Sequence, residues 1–137
     1  MEPIAIVTAF VGVVYIVGRG PLVVAPAATV AFYRRVFFSS PGRIRILGGI
    51  LLVLFVAPLI ATARLAPGPR PDVAVLIEIL GWMAAAAVVW CAVAPASLQG
   101  MANWFWDAFS DPTLRRGFGV LNVAFGLFLG WVAFFVL

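Results

Sequence analysis

Four long apolar segments, separated by short polar or proline-containing stretches, set the pattern of the chain. They cover residues 4–25, 46–63, 73–94 and 118–137. About 20 helical residues, each rising about 1.5 Å, cross the ~30 Å hydrocarbon core of a bilayer. Each segment reaches that length or falls slightly short of it. Because lipid offers no hydrogen-bond partner to the backbone, all four segments are predicted to be transmembrane helices.

Two further segments, residues 26–38 and 95–109, join the first apolar segment to the second and the third to the fourth. Each begins with a proline, Pro26 or Pro95, which suits the first turn of a helix. Aromatic side chains beside polar ones are typical of the membrane–water interface, and Tyr33, Trp104 and Trp106 are the predicted interfacial aromatics. We expect two short helices that lie in the inner interface. The alternative is that they extend the first and third spans beyond the membrane.

The composition supports an integral membrane protein. Of the 137 residues, 65% are apolar and 10% are charged, and the mean hydropathy is +1.17. A soluble domain is usually about half apolar and about a quarter charged. The expected fold is therefore all-α, with four transmembrane helices, short interfacial helices and almost no soluble domain. A soluble globular enzyme is excluded.

The charges predict an orientation. All nine basic residues are arginine and five residues are acidic, so the net charge is +4. The loop between the second and third segments carries only Arg64 and Arg70. The positive-inside rule therefore predicts that the other two connections are cytoplasmic and that both termini are periplasmic. The cytoplasmic arginines are Arg34, Arg35, Arg43, Arg45, Arg115 and Arg116. Besides fixing the orientation, they are expected to bind anionic headgroups or, alternatively, an acidic soluble partner.

The two halves of the chain, residues 1–69 and 70–137, share the same order of features. Each half reads as apolar span, short helix, proline-containing turn, arginine and second span. Two spans in each copy give both copies the same orientation, so the repeat axis is predicted to run along the membrane normal. The matched positions are Gly12 with Gly81, Pro26 with Pro95, Arg45 with Arg116, and Gly48 with Gly119.

These features resemble a known family. Each half is similar to the YjeT-like family of small two-span bacterial inner-membrane proteins, of which this chain would be a tandem duplication. The resemblance implies a multi-pass location in the bacterial inner membrane, and it brings no activity. It rests on Gly20, Pro21, Pro26, Arg34, Arg35, Pro41, Arg45 and Gly48 in the first half, and on Glu78, Gly81, Pro95, Pro112, Arg115, Arg116 and Gly119 in the second.

Small residues recur at helical spacing in the spans. In the fourth segment, Gly119, Gly126 and Gly130 fall on one helix face, and Gly126-x-x-x-Gly130 has the spacing that lets two helices approach closely. Asn122 is predicted to form a hydrogen bond across that contact. The face is interpreted either as an interface with a partner or as a contact inside the four-helix bundle. The other predicted packing residues are Gly12, Gly81 and Ala85.

Arg19 and Glu78 are the two charges well inside the predicted spans. An intramembrane charge is a functional-site hypothesis by default. If the first and third spans enter the membrane at equal depth, these side chains lie about 15 Å apart along the axis, too far for an ion pair. We therefore expect Glu78 to pair with Arg64 or Arg70, and Arg19 to snorkel towards the inner surface. A proton or ion pathway is the alternative.

The residue types that are missing limit the chemistry. With no histidine the chain offers no imidazole ligand, and with one cysteine it forms no internal disulfide. No catalytic residue, metal, cofactor or nucleic-acid partner is expected, although a carotenoid or quinone in an apolar groove stays open. We expect a non-enzymatic accessory or structural subunit that packs against a larger membrane complex or against itself. The alternative function is a small transporter or channel acting as a homo-oligomer.

Overall fold

The computed structural model describes all 137 residues, and the protein is an all-α membrane protein without strands. Four helices are long and apolar enough to cross a bilayer, as the hydropathy pattern predicts. We name them spans 1 to 4 in chain order. They are Pro3–Val24, Pro41–Leu65, Pro71–Val93 and Pro112–Val136.

The spans contain shorter helical elements, and two further helices connect them. Span 1 consists of α1 (Pro3–Arg19) and α2 (Pro21–Val24), and α3 (Pro26–Val36) connects it to span 2. Span 2 consists of α4 (Pro41–Leu51), a π-helical turn (Leu52–Val56) and α5 (Ala57–Leu65). Span 3 is α6 (Pro71–Val93), and α7 (Pro95–Ala108) connects it to span 4. Span 4 consists of α8 (Pro112–Trp131) and a second π-helical turn (Val132–Val136).

Spans 2 and 4 begin earlier than the predicted residues 46 and 118, because both helix starts are capped. The Ser40 hydroxyl accepts a hydrogen bond from the Arg43 N–H (3.3 Å), and the Asp111 carboxylate accepts one from the Thr113 N–H (2.8 Å). A proline follows each cap at the first helical position, where its missing N–H costs nothing. The arginines that end the apolar pattern therefore lie within the first turns of these helices.

The connecting helices are separate elements. The backbone leaves the helical region at Ala25 (φ −136°, ψ 73°) and at Ala94 (φ −136°, ψ 62°). Each of these residues precedes a proline, whose ring disfavours the helical conformation of its neighbour. Hence α3 and α7 are not straight extensions of spans 1 and 3. Their position in the membrane interface stays a prediction.

Span 2 contains a local irregularity next to Pro58. The Ala57 N–H donates to the Leu52 carbonyl, which widens this turn into a π-helix. Proline has no N–H to donate, and its ring crowds the carbonyl four residues earlier. The wider turn removes that conflict, so span 2 continues to Leu65 in spite of an internal proline.

The spans pack as two pairs, span 1 with span 4 and span 2 with span 3. The closest approach is between Gly12 and Gly126. A Cβ atom on Gly12 would lie 2.7 Å from the Gly126 carbonyl oxygen, and one on Gly126 would lie 2.6 Å from the Gly12 carbonyl oxygen. Only glycine allows the two backbones to meet in this way. This contact lies inside the bundle, which was one of the two interpretations of the glycine face.

Further glycines make close contacts in both pairs of spans. A Cβ on Gly81 would meet the side chain of Ile60 at 2.8 Å, and one on Gly48 would meet Cys91 at 2.7 Å. A Cβ on Gly119 would similarly lie 2.8 Å from the Leu22 side chain of span 1. Every pair of packed spans therefore includes at least two glycines that no larger residue could replace without movement of a neighbour.

The contacts of Gly48 and Gly119 correspond in the two halves. Gly48 faces Cys91 and the carbonyl of Val88, whereas Gly119 faces Leu22 and the carbonyl of Arg19. Cys91 and Val88 follow Leu22 and Arg19 by the same number of residues by which Pro95 follows Pro26. This correspondence supports the internal repeat, which stays a prediction.

Two separate clusters form the hydrophobic core. The connector cluster lies beside α3 and α7, and its members are Leu22, Val30, Tyr33 and Trp106. The terminal cluster lies at the opposite end, where the 66–70 loop touches the start of span 1 through Gly68 and Ile4. Its buried members are Ile4, Val11, Leu59, Ala63, Ala74, Ile77 and Leu129. We call the two ends of the bundle the connector end and the terminal end.

Gly126→Ala is expected to lower the free energy of unfolding by about 1–3 kcal/mol, because the new methyl group would press on the backbone of Gly12. Gly130→Ala is the matched control in the same helix, since its Cβ would have no neighbour within 4 Å. Unfolding in mixed detergent micelles, followed by circular dichroism, measures both variants. Equal stability of the two would contradict the assigned contact.

Candidate functional site

Aromatic side chains from three elements meet at the connector end. The Tyr33 and Trp106 ring centroids are 6.1 Å apart, and the Trp106 ring meets Phe118 of span 4 edge-on at 5.7 Å. Both Tyr33 and Trp106 are buried against protein, and their position at the depth of the membrane–water interface stays a prediction. The connecting helices turn these rings towards each other, where they gain protein contacts. Trp104 remains 67% exposed, as an interfacial residue would be.

Arg19 lies against this aromatic cluster. Its guanidinium carbon is 5.2 Å from the centroid of the Tyr33 ring and 5.7 Å from that of Phe118, within the range of cation–π attraction. The Tyr33 hydroxyl donates to the Gly18 carbonyl, which ties α3 to span 1. Burial raises the pKa of Tyr33, although the charge of Arg19 opposes this shift, so the phenol stays protonated at neutral pH. No carboxylate pairs with Arg19.

The two connecting helices are joined by an ion pair. Arg34 Nη2 lies 2.8 Å from Asp107 Oδ1 and also donates to the Asn103 carbonyl at 3.3 Å. The Arg34 side chain is 35% exposed and that of Asp107 is 72% exposed. A pair this exposed contributes at most about 1 kcal/mol. Together with the contact between the Tyr33 and Trp106 rings, it links α3 to α7.

Two of the predicted topology arginines also close the ends of the connecting helices. Arg43 donates to the carbonyls of Arg35 and Val36, both at 3.3 Å, at the end of α3. Arg115 donates to the carbonyls of Trp106 at 2.9 Å and Phe109 at 2.7 Å, at the end of α7. The last carbonyls of a helix lack partners within it, and the helix dipole favours a cation there.

Sequence reasoning missed this capping role, although the position of each capping arginine shortly after Pro41 or Pro112 was a usable signal.

Three of the other predicted arginines are exposed and pair with no carboxylate. Arg35 lies over the Phe32 ring at 5.9 Å, whereas Arg45 and Arg116 form no side-chain hydrogen bond within the chain. These three are free to meet headgroups.

Glu78 is held at the terminal end. Its Oε1 lies 2.6 Å from Arg64 Nε, and the Arg64 guanidinium also lies 5.7 Å from the Trp82 ring. Arg70, the other predicted partner, pairs with Asp72 at 2.8 Å instead. The structure therefore keeps Glu78 and Arg19 at opposite ends of the bundle, each with its own local partners.

The remaining predicted packing residues fall into three groups. Ala85 is half-buried on the face of span 3 that carries Gly81. Gly130 has open space beside it. Asn122 donates to the Phe118 carbonyl of its own helix at 2.7 Å, so the predicted hydrogen bond across the helix contact is not formed inside the bundle. A short amide side chain readily reaches back to the preceding turn, which removes one donor from the contact.

Two open grooves flank the contact between spans 1 and 4. The first is lined by Tyr15, Phe118, Leu121, Asn122 and Phe125. The second, which we call the Gly130 groove, is lined by the small residues Ala9, Gly126 and Gly130 and by Val13, with Trp131 and Phe134 at its rim. No three His, Cys, Asp or Glu side chains come close enough to hold a metal ion.

Comparison with known proteins adds nothing to this geometry: no protein-family model, curated protein or solved structure matches the chain. The resemblance of each half to the YjeT-like family stays an expectation. The function is therefore inferred from the arrangement of the chain's own residues.

Glu78→Gln is expected to lower the free energy of unfolding by about 1 kcal/mol, because it leaves Arg64 without its carboxylate partner beside the hydrocarbon region. Asp72→Asn is the control, since both members of that pair are more than half exposed. Unfolding in nanodiscs compares the two variants. A larger loss for Asp72→Asn would contradict the structural role of Glu78.

Arg115→Gln is expected to accelerate hydrogen–deuterium exchange in the last turn of α7, because the Trp106 and Phe109 carbonyls lose their cap. Arg116→Gln changes the neighbouring residue in the same way but removes no side-chain hydrogen bond within the chain, so exchange in α7 should stay the same. Faster exchange in both variants would indicate a general effect of charge rather than capping.

Proposed function

We propose that the protein is a non-enzymatic accessory or structural subunit that packs laterally against a larger membrane protein complex. The Gly130 groove is the observation that carries this proposal. Gly130 completes a Gly-x-x-x-Gly pair, yet a Cβ on it would meet no atom of this chain within 4 Å. Gly126 uses the same spacing to pack on span 1. A helix from a partner would complete the second position.

The groove has the chemistry of a contact between membrane helices. Ala9 and Gly130 have little or no side chain, so a partner's backbone can come near at these positions. Trp131, Phe134 and Phe135 are all more than half exposed and offer large apolar surfaces at the rim. In lipid, helices associate through close van der Waals packing at small residues rather than through a hydrophobic force.

The distribution of polar groups supports a role without catalysis. The five acidic residues are scattered over both ends of the bundle. Three of them are in ion pairs with arginine, among them Glu78, the deepest. A catalytic site would bring several titratable groups together in one cleft. The interior of the bundle contains instead the packed apolar side chains of the terminal cluster.

The same geometry disfavours the alternative of a small transporter or channel. Arg19 and Glu78 lie at opposite ends and are held by different partners. Between them lie apolar residues such as Leu59 and Leu129, which are at most 3% exposed. No continuous row of polar side chains links the two charges. A pathway for ions would need such a row.

The charge distribution supports an orientation with the connector end in the cytoplasm of a bacterium. Seven arginines and two aspartates leave that end with a net charge of +5, whereas the terminal end has two arginines and three acids. Arg35, Arg45 and Arg116 remain available to anionic headgroups. Each exposed arginine near such a surface contributes about 1 kcal/mol of attraction.

Isolation from native membranes into nanodiscs, followed by quantitative mass spectrometry, tests the proposal. A stoichiometric set of larger membrane proteins is expected to accompany the chain. Gly130→Ile should remove most of that set, because its side chain fills the groove. Gly49→Ile is the matched control, since Gly49 of span 2 also has no neighbour within 4 Å of its Cβ position.

A lone monomer or homodimer would overturn the proposal. So would equal loss of partners in the Gly49→Ile variant. Ion or proton flux through liposomes that is abolished by both Glu78→Gln and Arg19→Gln would instead support the transporter.

A further inference from the structure

The hydrophobic core is interrupted between its two clusters, and one groove lies at the interruption. Tyr15 and Phe125 border the terminal cluster, while Phe118 borders the connector cluster. Together with Leu121 and Asn122 they line an opening of about 360 Å³. Leu121 is 68% exposed, so the opening faces the lipid. We call it the mid-span opening.

The mid-span opening is deep in the membrane. Tyr15 lies near the middle of span 1 (Pro3–Val24), and Asn122 lies near the middle of span 4 (Pro112–Val136). At about 1.5 Å per residue, both lie roughly 15 Å from the nearer end of their helix, which is half the thickness of the hydrocarbon core. Their polar groups are therefore far from water and from headgroups.

These polar groups keep unused hydrogen-bonding capacity. The Asn122 amide donates one hydrogen to the Phe118 carbonyl at 2.7 Å, and its second hydrogen and its oxygen have no partner in the chain. The Tyr15 hydroxyl forms no hydrogen bond within the chain. The hydroxyls of Thr8 and Thr62, in contrast, each donate to a carbonyl one turn earlier. An unpaired polar group in hydrocarbon is costly, so a bound partner would be favoured here.

The lining also selects for shape. The Tyr15 and Phe125 rings meet edge-on with centroids 5.1 Å apart, and Phe118 lies further along span 4 towards the connector end. Three aromatic rings favour contact with a flat ring, and the Tyr15 and Asn122 donors favour an oxygen acceptor on it. None of the five lining residues is a glycine, so the opening lacks the close-approach surface that the Gly130 groove offers to a helix.

We propose that the mid-span opening binds a membrane-soluble compound with a planar ring that carries carbonyl oxygens, which is the chemistry of a quinone head group. The ring lies against Phe118 and Phe125, and one carbonyl accepts hydrogen bonds from the Tyr15 hydroxyl and the Asn122 amide. Only reversible binding is assigned. The opening shares no lining residue with the Gly130 groove, so this inference and the accessory role fail or succeed separately.

Titration of the protein in nanodiscs with menadione, a ring without a chain, tests the inference. Saturable quenching of tryptophan fluorescence is expected, because Trp106 contacts Phe118 at the edge of the opening. Farnesol, a chain without a ring, should not compete. Asn122→Leu and Tyr15→Phe should each raise the Kd for menadione about fivefold to tenfold, the usual effect of one lost hydrogen bond.

Leu121→Trp should abolish saturable binding, since it fills the opening but keeps both polar groups. Val120→Trp is the matched control, because Val120 of span 4 has a similar exposure (54%) and lines neither groove. Because the variant and its control each add a tryptophan, their binding of menadione is measured by equilibrium dialysis. The thermal unfolding of each variant is recorded, and Leu121→Trp decides the outcome if an Asn122 variant fails to fold.

Three results would overturn the inference. The first is quenching that does not saturate or is the same in every variant. The second is equal binding of farnesol, which would make the opening a site for an apolar chain. The third is a change of oligomeric state in Asn122→Leu without a change in menadione binding, which would assign Asn122 to a contact with another helix.

Discussion

The contact between the Gly12 and Gly126 backbones is the interaction on which the rest of the structure depends. Lipid is as apolar as the helix surfaces, so only close packing distinguishes one neighbour from another. Two glycines let the helices of spans 1 and 4 approach until each carbonyl oxygen occupies the space of the other's missing side chain. This contact fixes how each of the two helices is rotated about its own axis. That rotation determines which residues of spans 1 and 4 meet on either side of the contact.

Several features of the bundle follow from that rotation. Towards the connector end it brings Gly119 against Leu22 and places Arg19 over Phe118. On one side of the contact Tyr15 meets Phe125 and leaves the mid-span opening. The Gly130 groove follows from the same packing. The two proposed binding surfaces of the protein are thus consequences of one helix pair.

At the connector end, the same few charged side chains have two roles, one in the orientation of the chain and one in the stability of the connecting helices. Its arginines give the chain a polar asymmetry that supports one orientation in the membrane. Arg43 and Arg115 also satisfy the last carbonyls of α3 and α7, and Arg34 joins those helices through Asp107. The charges that favour an orientation therefore also stabilise the short helices between the spans.

The sequence by itself determined the four spans, the two connecting helices and the separation of charge between the two ends. Each of these depends on a local window of hydropathy, on a cap such as Ser40 or Asp111, or on a proline. Even the helix starts that the prediction placed too late had a local signal in those caps.

Only the tertiary structure decided which residues meet. In the folded chain Glu78 forms its ion pair with Arg64 rather than Arg70, and Tyr33 and Trp106 are buried. The Asn122 amide donates its hydrogen bond to its own helix. These outcomes depend on the distance and relative rotation of helices that are far apart in the chain. A hydropathy pattern has no information about that rotation, because in lipid every apolar face can be covered equally well.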